Sequence, residues 1–154
     1  MKIKLMIGKG EGPNELAAFD AALFDAGIAN YNLIILSSII PEKAIIELKK
    51  NISNIKEHGN KLYVVLSKRI ETKPGKEAWA CLGWVQNKSG RGLFVEHHGS
   101  SEKEVVKAAR ESLTNMMKYR AEKYGKIKTK TMGIKCNKTP VCSLVCAVYK
   151  SEKW

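Results

Sequence analysis

Two hydroxyls stand side by side in "LIILSSIIPEKA", residues 33–44, where a run of branched apolar residues ends in Ser37 and Ser38 shortly before Pro41. The other evidently reactive side chains are three histidines, His58, His97 and His98, and four cysteines, Cys81, Cys136, Cys142 and Cys146. A serine hydrolase would set its nucleophile in a Gly-x-Ser-x-Gly turn with a histidine base, and the chain has no such turn. Zinc would need a closed set of cysteine or histidine ligands. The cysteines lack Cys-x-x-Cys spacing, and the adjacent His97 and His98 point to opposite faces of a strand, so no metal is expected. "GKGEGP", residues 8–13, is glycine-rich but departs from both the Walker pattern and the dinucleotide fingerprint. The chemistry must therefore lie in single positions, with the cysteines read as buried thiols in a reducing compartment.

The elements that position those residues belong to one domain, because 154 residues suffice for a single core. A hydrophobic content of 44% and a charged content of 27% are ordinary for a globular chain, and no segment approaches the roughly 18 apolar residues of a membrane helix. Lysines break the apolar residues of "MKIKLMIGKG" too often for a signal core, so a cytoplasmic location is expected. The Asn-X-Ser/Thr matches at Asn51, Asn87 and Asn137 are read as chance. A net charge of +12 raises the possibility of a nucleic-acid partner. No helix-turn-helix, zinc-finger or ribonucleoprotein motif accompanies it, and lysines at 126, 128 and 130 fit the wet side of an amphipathic strand. Nucleic-acid binding is not the reading adopted.

Along the chain, "KIKLMI" reads as a strand, "GKGEGPN" as a glycine-bearing turn, and Glu15 to Ala26 as a helix capped by Asn14, with Leu16, Phe19 and Leu23 on one stripe and Gly27 closing it. "NYNLIIL" reads as a buried strand, which places the serine pair at a strand end. "AIIELKKNISNIKEHGN" carries no decisive pattern. "KLYVVLS" and "EAWACLGWVQN" read as strands joined by "KRIETKPGK", followed by the strand "GLFVEHHG". Residues 101–123 read as the longest helix, opened by a Ser101/Glu104 capping box, with Val105, Val106, Ala109, Leu113, Met116 and Met117 on its apolar side. The strands "GKIKTKTMGIK" and "PVCSLVCAVYK" end the chain. This order predicts an α+β fold with helices on the outer faces of sheet.

These residues carry a resemblance. "GEGPNELAAFDAALFDAGIANYNLIILSSIIP", residues 10–41, is similar to the amino-terminal half of the pyruvoyl-dependent arginine decarboxylases. It includes their Gly-Ile-x-Asn-x-Asn turn and their Ser-Ser-Ile-x-Pro cleavage site, and "GLFVEHHG" resumes the match with a Gly-Leu-x-x-Glu strand. The match is weak from about Lys49 to Lys76. The resemblance implies a four-layer αββα sandwich of mainly antiparallel sheets. It further implies a trimer of two-chain protomers with active sites at subunit boundaries.

It also implies a zymogen-like chain, a single domain over 1–154, that cuts itself between Ser37 and Ser38 into 1–37 and 38–154 and converts Ser38 into a covalent pyruvoyl group. No metal or pyridoxal phosphate is then needed. The implied activity is that of a lyase: L-arginine, bound through a Schiff base on the pyruvoyl ketone, loses CO2 to give agmatine, a polyamine precursor. In these terms Ser38 is the cofactor source, Glu96 the acid that reprotonates the α-carbon, and Asn32 the helper at the oxyanion of the cut. Asp20 is the carboxylate opposite the guanidinium, and Tyr31 a pocket residue. A carboxylic acid suits the role of Glu96 when burial raises its pKa, and "GLFVE" supplies apolar neighbours. The +12 charge opposes approach of a cation, although screening over about 8 Å leaves local carboxylates to decide binding. It keeps two alternatives open: a decarboxylase of another amino acid, and a non-catalytic basic nucleic-acid-binding protein.

Overall fold

The computed structural model describes residues 1–49 and 55–154, so Asn51 and part of the lysine-rich middle segment lie outside the described residues. Two sheets pack face to face. Strands β1 (Lys2–Glu11), β2 (Asn32–Ile35), β4 (Ile45–Leu48), β5 (Lys61–Glu71) and β9 (Val141–Glu152) form one in the order β2-β5-β9-β1-β4. Its outer pairs β2/β5 and β1/β4 are parallel, and its inner pairs are antiparallel. Strands β3 (Ile39–Ile40), β7 (Gly92–Gly99), β6 (Glu77–Gln86) and β8 (Lys128–Lys135) form the second sheet, antiparallel throughout, in that spatial order.

Helix α1 (Glu15–Asp25) covers the first sheet, where Ala18, Ala22 and Ala26 bury with Met6, Val64, Leu144 and Cys146. Helix α2 (Glu102–Met117) covers the second through Val105, Ala109 and Leu113 on Cys81, Val85 and Val95. Between the sheets lie Ile3, Leu5, Ile40, Val65, Leu82, Phe94, Val145 and Ala147. The result is the expected αββα sandwich. No helix among the described residues is long and apolar enough to cross a membrane.

Both helices begin as their sequences dictate. The Asn14 side chain accepts from the Ala17 N–H at 2.9 Å, and Ser101 accepts from the Glu104 N–H at 3.3 Å. Helix α1 ends in a Schellman turn: Gly27 at φ 73° lets the Ile28 N–H reach the Leu23 carbonyl, and the Gly27 N–H reaches that of Phe24. Helix α2 stops at Met117, six residues short of the expected end. The apolar side ends with Met116 and Met117, and Tyr119 beyond them is 86% exposed, so no packing holds a further turn.

The amino-terminal strand differs more. "GKG" is not a turn: β1 continues through Gly8 and Gly10 to Glu11, paired with β9. The glycines are needed for contact. A Cβ at Gly8 would lie 2.1 Å from the Ala22 carbonyl oxygen, and one at Gly10 2.5 Å from the Ala22 nitrogen. Hence α1 docks through alanine on glycine, and its large apolar residues do not all face inward: Leu16 is 75% and Phe24 68% exposed. Gly8→Ala is expected to destabilise the fold by about 1–3 kcal/mol, the usual cost of overpacking. Urea denaturation in a Ser38→Ala background tests this, and an unchanged midpoint would contradict the contact.

Candidate active site

The serine pair sits where the chain passes from one sheet to the other. Strand β2 runs along β5, and its last tie to that sheet is the Leu36 N–H donating to the Val64 carbonyl at 2.8 Å. Two residues later the chain joins the second sheet, where the Phe94 N–H donates to the Ser38 carbonyl at 2.8 Å and β3 pairs with β7. Ser37 and Ser38 lie between the two ladders. Ser38 takes φ 67°, in the left-handed region that a residue with a Cβ enters at a cost of roughly 1–2 kcal/mol.

Glu96 meets that residue. Along β7 the side chains alternate: Leu93 and Val95 pack towards α2, whereas Phe94 joins the core between the sheets. Glu96 follows Phe94 on the same face, and the Ser38 hydroxyl donates to its carboxylate. Glu96 is exposed within the single chain, so the burial expected from "GLFVE" is not supplied by its own strand. The apolar run serves the two core clusters on either side of β7.

Tyr149 completes the cluster. It projects from β9, in the opposite sheet, and its hydroxyl donates to the Ile39 carbonyl at 2.9 Å. Its ring stands edge-on to Phe94, with centroids 6.4 Å apart. Burial, and then the nearby Glu96 charge, hold its pKa well above the usual phenol range. Sequence reasoning missed Tyr149. At the end of an apolar strand it looks like a core residue, and its partner is 110 positions away.

The remaining candidates lie elsewhere in the chain. Asn32 begins β2, about 13 Å from Leu36 at the usual strand rise of ~3.3 Å per residue. Its amide donates to the Gly59 carbonyl at 2.6 Å, so it does not face the serine pair of its own chain. Tyr31 packs under α1 and donates to Glu57 at 3.0 Å. Asp20 is exposed. On the helix it lies opposite the buried Ala18 and Ala22, in line with Leu16 and Phe24 at spacings of four, so its stripe faces outward and not onto the sheet.

His97 turns to the other side of β7, where its Nε2 pairs with the Ser112 hydroxyl at 2.8 Å, and burial lowers its pKa. All four cysteines are buried free thiols. Burial pushes Cys81 and Cys142 up to about 11, so they stay protonated and unreactive near neutral pH. No group of three or more potential metal ligands occurs among the described residues.

The arrangement offers a hydroxyl held against a carboxylate, next to a peptide bond that neither ladder stabilises. Comparison with known proteins points the same way. The family model for "Pyruvoyl-dependent arginine decarboxylase" matches residues 2–153. A protein of that name from Methanopyrus kandleri is 33% identical over 133 residues, covering 84% of this chain and 83% of its own. Another from Halobacterium salinarum is 40% identical over 95 residues, 62% of this chain and 59% of its own length. One from Methanococcus aeolicus reaches 62% identity over 42 residues, 27% of this chain and 26% of its own. For the halobacterial relative, the match thus spans less than two thirds of that protein.

The left-handed Ser38 gives a test independent of activity. Ser38→Gly and Ser38→Ala both remove the hydroxyl, but only glycine relieves the φ strain. The glycine variant is expected to be the more stable by roughly 0.5–1 kcal/mol in urea denaturation. Equal stability would show that Ser38 is not held at positive φ.

Proposed function

The chain belongs to the pyruvoyl-dependent arginine decarboxylase family, and on that premise we propose that it is a self-processing enzyme that turns L-arginine into agmatine and CO2. The observation that carries the reading is the Ser38 hydroxyl on the Glu96 carboxylate, at a left-handed residue between two sheets. In the proposed cut the Ser38 Oγ bonds to the Ser37 carbonyl carbon, the Ser37–Ser38 C–N bond breaks, and the hydroxyl proton ends on the freed amine. Glu96 is placed to carry that proton. Loss of the Ser37 carboxylate from Cβ, with the Cα proton, leaves a dehydroalanine. One water then replaces nitrogen, releasing ammonia and a ketone. The products are fragments 1–37 and 38–154 of one domain.

Ser38 fits such a group, since its peptide lies outside both ladders and its side chain reaches a carboxylate. The ketone supplies an electron sink for the pair left when CO2 departs. Glu96, beside the same atom, is the acid that returns a proton to the substrate α-carbon. It is exposed in a lone chain, and in this reading a neighbouring copy covers it.

Substrate recognition follows the same logic. Asp20 faces outward between Leu16 and Phe24, a stripe suited to a neighbouring copy. Ile35 and Ile39, flanking the serine pair, are 60% and 55% exposed. We assign Asp20 to the guanidinium of arginine in a neighbour's site and Tyr31 to the boundary of such a site, and Asn32, turned to Gly59 in its own chain, to the oxyanion of the cut in a neighbouring copy. The assembly is a trimer of two-chain protomers with composite sites.

Intact mass under denaturing conditions tests the cut: two fragments meeting between Ser37 and Ser38, the larger without a free amino terminus. Ser38→Ala is expected to stay whole and inactive, and decarboxylation by that variant would overturn the mechanism. Glu96→Gln is expected to lower kcat by about 10²-fold or more at matched pyruvoyl content, as loss of a general acid does. Asp20→Asn should still be cut but show an arginine KM raised by about 10–100-fold, matching the loss of a charged hydrogen bond. An unchanged KM would remove Asp20 from the site.

A further inference from the structure

The hydroxyl of Tyr149 has no part in the chemistry above, yet it spans the sandwich beside the bond to be cut. It reaches from β9 of the first sheet to the Ile39 carbonyl on β3 of the second, 2.9 Å away. Resting on the reading that the chain is cut between Ser37 and Ser38, we propose that Tyr149 is a positioning residue for that cut. Its phenol holds the Ile39 carbonyl, which fixes the segment after Ser38 and keeps Ser38 at positive φ with its hydroxyl on the Glu96 carboxylate.

The argument is mechanical. Strand β3 has only two residues, Ile39 and Ile40, so few ladder bonds hold it against β7. The left-handed Ser38 costs energy and relaxes towards the extended region unless both flanks are held. Upstream, the Leu36 N–H is fixed to Val64. Downstream, the ties are the Ser38 carbonyl to the Phe94 N–H and the Ile39 carbonyl to Tyr149. Ile40 packs in the core between the sheets, and among the described residues the Tyr149 hydroxyl adds a directional hydrogen bond from β3 to the sheet the chain has just left, which limits how far the two flanks can separate. Its ring is fixed against Phe94, the residue that holds the Ser38 carbonyl. Burial and the Glu96 charge keep the phenol protonated, which suits a donor that holds a carbonyl and not a group that transfers a proton.

The test is the rate of cleavage of freshly made chain, followed by intact mass. Tyr149→Phe keeps the ring and removes the donor. It is expected to fold and to be cut about tenfold more slowly, the equivalent of one lost hydrogen bond of ~1.5 kcal/mol. Trp84→Phe, which changes the other ring against Phe94 but removes no hydrogen bond of the serine segment, is expected to be cut at the native rate. A Tyr149→Phe chain cut as fast as native, or a Trp84→Phe chain slowed equally, would overturn the proposal.

If Tyr149→Phe does not fold, 3,5-difluorotyrosine at 149 preserves the shape and lowers the phenol pKa. Cleavage should then fall as pH rises through the lowered pKa, whereas native cleavage shows no such step. A profile matching native would overturn the proposal. A native chain that stays whole defeats the reading of the site itself, an outcome distinct from either variant result.

Discussion

The structure depends on one constraint: the chain must leave one sheet at Leu36 and enter the other at Ser38. The two sheets are held at a fixed separation by the residues packed between them, among them Phe94, Val145, Ala147 and Ile40. That packing is dense and does not stretch or shrink to suit a short connection. The connection adapts instead, and it does so at Ser38, the residue with φ 67°. An amide is unreactive chiefly because it is planar and resonance-stabilised. In the proposed cut, a core packed on both sides holds the Ser38 hydroxyl and the peptide before it in one arrangement without loosening the rest of the fold.

The same topology explains why the groups proposed to react come from distant parts of the sequence. Glu96 is delivered by β7 because β3 pairs with that strand: Ile39 lies against Leu93, and Ser38 bonds to Phe94. Tyr149 arrives from β9, a central strand of the other sheet. The helices bury the two outer faces, and the alanine-on-glycine contact of α1 with β1 lets the first of them lie close.

Much of this was legible in the residues. The helix starts at Asn14 and Ser101, the turn at Gly27, the strand 92–99 and the serine pair at a strand end are local signals, and local physics decides them. What escaped was decided by tertiary contact. Gly8 and Gly10 look like a turn because glycine permits turns, but here they provide space for Ala22. Leu16 looks like core because it is large and periodic, but α1 docks through its alanines. Asp20 is in line with Leu16 and Phe24, on a stripe that faces away from the sheet. Tyr149 carried no local signal at all.

The positions of the proposed site residues bear on how the site works. The groups proposed for cutting the chain, Ser38 and Glu96, meet within one protomer, as does Tyr149. The groups proposed for arginine and for completing the site, Asp20 and Asn32, do not. In the proposed reading the nucleophile and its carboxylate come from one fold, whereas the oxyanion helper and the carboxylate for arginine come from a second copy. This division also answers the +12 charge. At physiological ionic strength distant lysines are screened beyond about 8 Å. In the proposed composite site, Asp20 of one chain and Glu96 of another would gather two carboxylates where the cation binds. The net charge of the whole protein then sets how the molecule behaves in solution, and the local pair sets what it binds.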